Sequence, residues 1–380
     1  MPDPHAPFGP LPERVDLAVV GGGILGAAIA HAAQAARPGS RTVVLDQGVR
    51  DTATRWSLGV LAPWANTAGQ RALLERGADH VRERVEPDLV RPFLRWVSAL
   101  VVASPATLDR LAAATIGTDM QTAPPGLLAQ ARAAYGELTA RDGDTLATVC
   151  AGVAVLDVGG LAERLLADSV VHRGAQVTRV EDAGDFRTLL LADGRTLTAR
   201  HVVLATGPWA QPALGADPST SSVPTGWRTK RIAALHAARQ PPADAPLVCF
   251  PDDDLFLLPA AVDETGGRGG VGASFRCEDW DVPPGPGTGV LDGRTLESGR
   301  VALARRAPDL AAEIGSGRVA VDGYTPDRTP LTGLRAPGVV QAVAASGGGA
   351  RFAWGVADQV LALLAADGAG RSAGSPSPHS

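Results

Sequence analysis

The spacing of apolar residues changes sharply near the start of the chain. Val15–Val20 is an apolar run of strand type, which passes into three glycines and then into an Ala-rich helical pattern that reaches Ala30. A second apolar strand, Arg41–Asp46, follows the helix. Strand, helix and strand in this order predict a βαβ unit that opens an α/β fold.

Helical and strand periods continue to alternate up to about residue 205. The pattern predicts helices over Arg71–Val85, Pro92–Leu111 and Gly159–Val171, and strands over Val153–Asp157 and Gly174–Val180, the last one in the parallel sheet. Arg187–Leu191 and Arg195–Ala199 alternate around Asp193 and Gly194, a favoured hairpin turn pair. The hairpin leads into an apolar strand that ends in Ala-Thr-Gly at Gly207, where the main chain can approach a ligand closely.

After a Pro/Ser/Gly linker at 211–226 the pattern changes to short strands, which predict an antiparallel sheet. These strands are Arg231–Leu235, Leu247–Phe250, Leu255–Pro259 and Gly269–Phe275. We interpret the acidic run Asp252–Asp254 as a solvated hairpin turn and not as a metal site. One more helix is predicted at 295–314, and the strand Gly338–Ala344 leads through a glycine turn into a final helix. Residues 369–380 are predicted to be disordered.

Composition narrows the class of protein. At 380 residues the chain suits two interleaved domains, and 45% hydrophobic with 20% charged residues is ordinary for a globular protein. The net charge is −5, from 35 basic and 40 acidic residues, and no basic run occurs, which argues against a nucleic-acid partner. No window approaches the roughly 18 consecutive apolar residues of a membrane span.

The cysteines and the N-terminus complete this picture. Cys150, Cys249 and Cys277 are odd in number and far apart, so they predict neither a disulfide framework nor a metal site. The first residues lack the apolar core of a signal peptide, and the expected compartment is therefore the cytoplasm.

The glycines after the first strand carry the clearest chemical signal. Gly21, Gly23 and Gly26 have the spacing G-x-G-x-x-G between a strand and a helix. In such a turn the glycines allow the sharp bend, the approach of the main chain to a pyrophosphate, and close helix–strand contact. Asp46 ends the next strand 20 residues after Gly26, where a ribose hydroxyl partner is expected. These features predict dinucleotide binding.

Four blocks in this order resemble the FAD-dependent D-amino-acid oxidase superfamily, particularly its glycine oxidase and sarcosine oxidase branch. The first is the glycine motif with Asp46. Ala53–Ala62 is similar to the family's Ala-Ser-Gly-Arg-Asn-Ala-Gly-x-Leu-Ala loop beside the flavin. Val203–Trp209 is the third block, and Thr325–Gly333 with the glycine turn at 346–349 is the fourth.

The resemblance implies an α/β fold (α+β overall) with two domains. A Rossmann-type FAD domain with a parallel sheet is discontinuous and covers about 1–86, 150–225 and 320–368. An antiparallel-sheet substrate domain covers about 87–149 and 226–319. The predicted FAD-binding residues are Gly21, Gly23, Ile24, Leu25, Gly26, Asp46, Gln47, Thr54, Arg55, Ser57, Leu58, Gly59, Val177, Thr206, Gly207, Trp209, Gly347, Gly348, Gly349, Ala350 and Arg351.

The resemblance also suggests how the substrate and the cofactor are held. Thr325 stands where many relatives carry a carboxylate-binding Arg in a Gly-x-Arg-Pro segment, whereas Arg351 stands at the basic position of the sarcosine-oxidase-like members. We hypothesise that Arg351 binds a substrate anion; the alternative is a solvated or salt-bridged helix residue. Tyr324 and Trp64 complete the predicted catalytic set. No cysteine directly precedes Tyr324, where some relatives attach the flavin, so non-covalent FAD is predicted.

The remaining chemistry leaves several alternatives open. No His belongs to a catalytic constellation, and His31 and His201 are interpreted as structural. Trp56, Trp64, Trp227 and Trp354 wall a substrate pocket or belong to the core. No Lys stands in Gly269–Ala273, where some relatives carry the Lys that promotes reaction with oxygen, so the acceptor is O2 or another molecule.

The leading functional hypothesis is oxidation of the C–N bond of an amine or amino acid, including secondary amines, to an imine. The alternatives are oxidation of the C–O bond of a 2-hydroxy acid and a flavin-holding subunit whose partner carries the chemistry. Neither the substrate nor the oligomeric state follows from the sequence.

Overall fold

The computed structural model describes residues 10–209, 213–215, 226–259, 270–285 and 289–373. In chain order its strands are Arg14–Val20 (β1), Thr42–Asp46 (β2), Val60–Leu61 (β3), Leu94–Trp96 (β4), Ala99–Ala103 (β5), Met120–Thr122 (β6), Thr145–Val149 (β7), Ala154–Leu156 (β8), Val170–Arg173 (β9), Val177–Ala183 (β10), Phe186–Leu191 (β11), Thr196–Leu204 (β12), Ala213–Leu214 (β13), Arg228–Ala237 (β14), Leu247–Phe250 (β15), Leu255–Pro259 (β16), Val271–Ser274 (β17), Ser316–Tyr324 (β18), Leu331–Ala336 (β19) and Val339–Val343 (β20). Its helices are Ile24–Ala36 (α1), Ala53–Trp56 (α2), Ala68–Arg84 (α3), Pro87–Val90 (α4), Pro105–Ala114 (α5), Pro125–Tyr135 (α6), Val158–Leu166 (α7), Gly293–Ala304 (α8), Pro308–Glu313 (α9) and Gly349–Ala373 (α10).

The first sheet is built around β1. It has the order β13-β10-β11-β12-β1-β2-β9, and β20 pairs with β12 and β19. β1 is parallel to both of its neighbours, with Val19 opposite Val203 and Val44. Apolar residues of α1, α7 and α10 cover one face of this sheet, as a parallel sheet with buried faces requires. The predicted βαβ unit and the α/β class are confirmed.

The second sheet has the order β18-β14-β17-β16-β15-β5-β7-β6. All of its neighbours are antiparallel except β5 and β15. Helices α6, α8 and α9 bury apolar residues against it. A three-stranded sheet, β3-β8-β4, lies beside these two. The predicted strands Leu247–Phe250 and Leu255–Pro259 are confirmed, and so is the hairpin at Asp193 and Gly194.

The predicted helix Pro92–Leu111 is wrong. This stretch forms β4 and β5, and helix α5 begins only at Pro105. Each residue of Ala99–Ala103 is almost fully buried, so the run is apolar on both faces and carries no period that separates a strand from a helix. Pairing with β7 and β15 makes it a strand, and Pro105 suits the first helical turn because that position needs no N–H donor.

Other element boundaries also differ from the prediction. The helix predicted over Gly159–Val171 ends at Leu166, because Val170 and Val171 join β9, which is parallel to β2. The strand that follows, β10, lies in the same sheet as β1, as predicted, where it is parallel to β13 and antiparallel to β11. The helix predicted at 295–314 is two helices, since Pro308 lacks the N–H that a continuous helix would use.

Two further sequence-based predictions changed at the acidic turn and the tail. Asp252 accepts hydrogen bonds from Ser104 N (2.8 Å) and Thr107 Oγ1, and Asp253 pairs with buried Arg306 (2.7 Å), so this turn holds the fold and is not merely solvated. Helix α10 extends through Ala373, into the segment predicted to be disordered, because no proline interrupts it. Residues 374–380 and most of the predicted linker 211–226 lie outside the described residues.

Since β18 pairs with β14 on both sides of residue 320, the domain boundaries stay a prediction.

Candidate active site

A cleft runs from the carboxyl end of β2 to the beginning of α10. Glycine turns, small apolar residues and a few polar side chains form its walls. The lining residues are Val20, Gly21, Gly23, Ile24, Leu25, Leu45, Asp46, Gln47, Val49, Thr52, Ala53, Thr54, Ser57, Val158, Ala175, Gln176, Val177, Ala205, Thr206, Gly207, Pro208, Trp209, Ile232, Asp322, Ala344, Ala345, Gly347, Gly349 and Ala350. A crevice outside the carboxyl ends of parallel strands is the usual ligand position of such sheets.

The first glycine turn is shaped by close contacts between main-chain segments. Gly21 has φ +107°, and a Cβ there would lie 2.3 Å from the carbonyl oxygen of Ala205. A Cβ on Gly26 would lie 1.9 Å from the carbonyl oxygen of Gly21. Real Cβ atoms do not approach a main-chain oxygen so closely, so both positions require glycine.

Polar groups around this turn are arranged for an anion and a ribose. The Asp46 carboxylate accepts hydrogen bonds from Gly22 N (2.6 Å) and Gly48 N (2.7 Å), which fixes it beside the turn. Helix α1 begins at Ile24 without an acidic residue in its first turn, and Ile24 N donates to Thr54 Oγ1 (3.0 Å). The positive end of the helix dipole therefore faces the cleft without a competing carboxylate in that turn.

The opposite end of the cleft is a strained turn before α10. Ala344 and Ser346 have φ +55°, and Gly347 has φ +75°. Left-handed conformations at non-glycine residues persist only where the surroundings impose them. Here the end of β18 imposes them: Ser346 N donates to the carbonyl oxygen of Gly323 (2.8 Å), and Gly347 N donates to Asp322 Oδ2 (2.8 Å).

Asp322 and Tyr324 are the titratable side chains that β18 brings to this turn. Asp322 lines the cleft, and its carboxylate also accepts a hydrogen bond from Gly323 N (2.8 Å). Burial raises the pKa of Asp322 above its ordinary value, and the two N–H donors oppose that rise. Burial also raises the pKa of Tyr324, whose hydroxyl would lie 3.0 Å from a Cβ on Gly347.

The cleft contains most, but not all, of the residues predicted to bind FAD. Those in its lining are Gly21, Gly23, Ile24, Leu25, Asp46, Gln47, Thr54, Ser57, Val177, Thr206, Gly207, Trp209, Gly347, Gly349 and Ala350. Gly26, Arg55, Leu58, Gly59, Gly348 and Arg351 are not in the lining. The glycines among these have packing reasons: a Cβ on Gly59 would lie 1.8 Å from the carbonyl oxygen of Leu156, and one on Gly348 would lie 2.6 Å from the Phe352 ring.

Arg351 lies on the first turn of α10, next to the cleft. Its Nη1 donates to the carbonyl oxygen of Trp64 (2.8 Å), and its guanidinium lies 4.5 Å from the centre of the Phe352 ring. Burial lowers the pKa of Arg351 to about 10, and no carboxylate of the described residues forms an ion pair with it. Trp64 is buried, with Nε1 lacking a hydrogen-bond partner among the described residues. The anion-binding role of Arg351 stays a prediction.

Several lining residues are absent from the predicted FAD-binding set, although Thr52 belongs to the Asp51–Trp64 segment that the sequence predicts to line the cofactor. Thr52 is the N-cap of α2, where its Oγ1 accepts from Arg55 N (3.2 Å), and a Thr before a helical turn is a signal that could have been used. Asp322 and Ile232 carry no local signal. They reach the cleft because β18 and β14 pair with each other.

The other side chains considered from the sequence have structural environments. Trp354 stacks on His80 with ring centroids 5.5 Å apart and meets the His31 ring edge to face, so it is part of a helix interface. Trp56, Trp64 and Trp227 are buried and do not line the cleft. Among the described residues no group of three or more His, Cys, Asp or Glu is arranged to hold a metal ion, and no helix is long and apolar enough to cross a membrane.

These features define the class: a protein that binds a dinucleotide along a parallel sheet and closes its cleft with a second, mostly antiparallel sheet. The family model described as FAD dependent oxidoreductase (DAO) matches residues 16–363, and the chain therefore belongs to this family. The cofactor is FAD, which the cleft fits: the glycine turn leaves room for a pyrophosphate, and Asp46 lies where a ribose is expected. The predicted superfamily is confirmed.

Solved structures with the same fold are distant in sequence. Iminodiacetate oxidase from Chelativorans sp. BNC1 has 21% identity and a TM-score of 0.68, over 96% of this chain and 97% of that one. Glycine oxidase from Geobacillus kaustophilus has 17% identity and a TM-score of 0.67, over 93% and 95%. L-proline dehydrogenase from P. horikoshii has 16% identity and a TM-score of 0.71, over 93% and 94%. No curated protein matches the sequence.

Proposed function

We propose that this protein oxidises the C–N bond of an amine or amino acid to an imine. FAD, when bound, would be the oxidant for this reaction, as the acceptor of a hydride from the carbon next to nitrogen. The observation that carries the proposal is the position of Asp322. It is the one titratable side chain in the described lining besides Asp46, and it lies at the end away from the ribose site.

Asp322 suits an amine substrate because an amine must lose its ammonium proton before it can release hydride. A carboxylate whose pKa is raised by burial is a better proton acceptor than an exposed one. Its hydrogen bonds from Gly323 N and Gly347 N fix its oxygens and leave lone pairs for a substrate N–H. We therefore assign Asp322 as the group that accepts the ammonium proton.

Two alternatives remain from the sequence. Oxidation of a 2-hydroxy acid at its C–O bond would use the same cleft with a hydroxyl proton transferred to Asp322. A flavin-holding subunit would use the cleft only for binding. Glycine oxidase and L-proline dehydrogenase act on amines by their names, which favours the C–N reaction.

The test is anaerobic mixing of the purified holoenzyme with amines, amino acids and matched 2-hydroxy acids, with flavin bleaching recorded. We expect bleaching by at least one amine or amino acid and no faster bleaching by its hydroxy analogue. Faster bleaching by a hydroxy acid would replace the C–N reaction with the C–O reaction. No bleaching by any compound would favour the non-catalytic subunit. Readmitting air then shows whether O2 is the acceptor.

A further inference from the structure

A largely buried lysine lies directly opposite Asp322 in the β14–β18 register, just outside the lining residues of the cleft. Lys230, on β14, is 6% exposed. No side chain or carbonyl of the described residues forms a hydrogen bond or an ion pair with its ammonium group. Its Nζ is not among the fully buried polar atoms that lack a partner, but a lysine with so little exposed surface usually has an anion nearby. The position therefore calls for a partner that the described chain does not supply.

Aromatic rings hold this ammonium group in place. Its Nζ lies 4.9 Å from the centre of the Trp280 ring and 5.5 Å from that of Tyr324, and these two rings meet edge to face at 5.6 Å. Cation–π contacts of this kind favour a cation but leave its N–H donors free for an acceptor. We call Lys230, Trp280 and Tyr324 the Lys230 cluster.

Strand pairing places the Lys230 cluster on the cleft side of the sheet. Lys230 is directly opposite Asp322 in the β14–β18 register, so both side chains lie on one face. Ile232, two residues further along β14, lies on the same face and lines the cleft. The Tyr324 hydroxyl of the cluster reaches Gly347, which also lines it.

The opposite charges of Lys230 and Asp322, which share this face, do not form an ion pair. Cross-strand neighbours have Cβ atoms about 5 Å apart, close enough for an ion pair between Lys and Asp. Lys230 and Asp322 form none within 4.0 Å, since the ammonium lies over the rings and the carboxylate is held by Gly323 N and Gly347 N. A cation and an anion held apart on one surface match the two charges of an amino acid.

We propose that Lys230 binds the carboxylate of an amino-acid substrate whose ammonium group faces Asp322. This rests on the proposed function and narrows it from amines in general to amino acids. A charge-assisted hydrogen bond from Nζ to a carboxylate oxygen supplies the partner that the buried ammonium lacks. In this arrangement Lys230 is a substrate-binding residue, and Arg351 is not the carboxylate ligand.

The chain offers a matched control for Lys230. The Arg228 guanidinium lies 5.0 Å from the same Trp280 ring, but it is exposed and forms a bidentate ion pair with Asp281. Its charge is already neutralised, so it has no need of a substrate anion. Arg228→Met therefore removes a cation beside Trp280 without removing the proposed ligand.

The first experiment measures binding without turnover. Oxidised holoenzyme is titrated with acetate, propionate and phenylacetate and with their neutral amides, and the visible flavin spectrum is followed. We expect each carboxylate to bind more tightly than its amide. Lys230→Met should weaken carboxylate binding by about 10- to 150-fold, the range for a hydrogen bond to a charged group. Lys230→Arg should recover most of it, and Arg228→Met should stay within about twofold.

The second experiment uses the anaerobic bleaching assay. Proline is compared with pyrrolidine, and phenylalanine with phenethylamine, at a range of concentrations. Lys230→Met should raise the concentration needed for half-maximal bleaching by the amino acid and leave the matched amine unchanged. A merely structural role would affect both compounds equally.

Several results would overturn the proposal. These are equal binding of carboxylates and amides by the unaltered enzyme, unchanged carboxylate binding in Lys230→Met, or loss of that binding in Arg351→Met alone, which would restore the Arg351 hypothesis. If Lys230→Met does not fold, the comparison of carboxylate with amide binding in the unaltered enzyme and in Lys230→Arg tests the proposal instead. If carboxylates bind through Lys230 but no amine or amino acid bleaches the flavin, the recognition stands and the oxidation proposal fails.

Discussion

The Asp46 end of the cleft is built from main chain, whereas the Ala344–Ala350 end depends on side chains from distant segments. At the first end, glycines let β1, α1 and β12 approach within van der Waals contact, and the side-chain hydrogen bonds to the turn come from Asp46 and Thr54, while Gly21 N donates to the carbonyl oxygen of Leu45. At the second end, β14, β18 and the turn before α10 each contribute side chains. The first end is thus fixed by backbone shape, whereas the second depends on side chains that substitution can exchange.

The two ends also obtain unusual backbone conformations differently. Gly21 adopts a positive φ at no steric cost, because it has no Cβ. Ala344 and Ser346 adopt one against their intrinsic preference, and hydrogen bonds to Asp322 and Gly323 hold the turn. The second end therefore depends on contact between β18 of the second sheet and the turn that follows β20 of the first sheet. The first end needs no such contact between sheets.

The largest expected effect is at the main-chain end. Gly26→Ala places a Cβ 1.9 Å from the carbonyl oxygen of Gly21, which cannot move without opening the turn. We expect FAD affinity to fall by more than about 100-fold, so that the variant is purified without flavin. Equilibrium dialysis against FAD measures this. Gly126→Ala, which meets no atom within 4 Å, should keep its flavin; a Gly26→Ala variant with normal flavin content would contradict the account of this end.

A second prediction concerns proton transfer at the side-chain end. Burial raises the pKa of Asp322, and only its ionised form accepts a proton, so activity should fall as pH falls through that raised pKa. Asp322→Asn should lower the bleaching rate about 100-fold and remove this acidic limb. The pH dependence of anaerobic bleaching measures both.

The control for this prediction is Asp327→Asn. Asp327 lies in the exposed turn after β18, where it accepts hydrogen bonds from Thr329, so its loss should leave the acidic limb in place. An unchanged pH profile in Asp322→Asn would show that Asp322 does not accept the substrate proton. Both ends of the cleft would then have a role in binding the cofactor only.

The smallest expected effect is at Asp46. Asp46→Ala removes the acceptor of two backbone N–H groups and the expected ribose partner, and we expect FAD affinity to fall about tenfold while the flavin remains bound at high concentration. Asp16→Ala is the matched control, since Asp16 also accepts a backbone N–H, from Arg41, but not at the cleft. A loss as large as that of Gly26→Ala would show that this end relies on side chains after all.

Some parts of the fold and site could be predicted from short stretches of sequence. Gly21, Gly23 and Asp46 were predicted to lie together because a strand, a tight turn and a helix fix their relation within about 30 residues. The run Ala99–Ala103 was assigned to a helix because its apolar residues carry no period, and only pairing with β7 and β15 makes it a strand.

By itself, the sequence determined the dinucleotide site, the FAD family and the change of architecture after residue 226. The dinucleotide site and the change of architecture follow from local steric rules, since a glycine turn and an alternating strand require few distant contacts, whereas the family was indicated by the resemblance of four sequence blocks. Only the tertiary structure brought Lys230 beside Trp280 and opposite Asp322, because cross-strand register joins residues that are 92 positions apart in the chain. Local patterns cannot encode that register, which depends on how β14 and β18 bury their apolar residues within the second sheet.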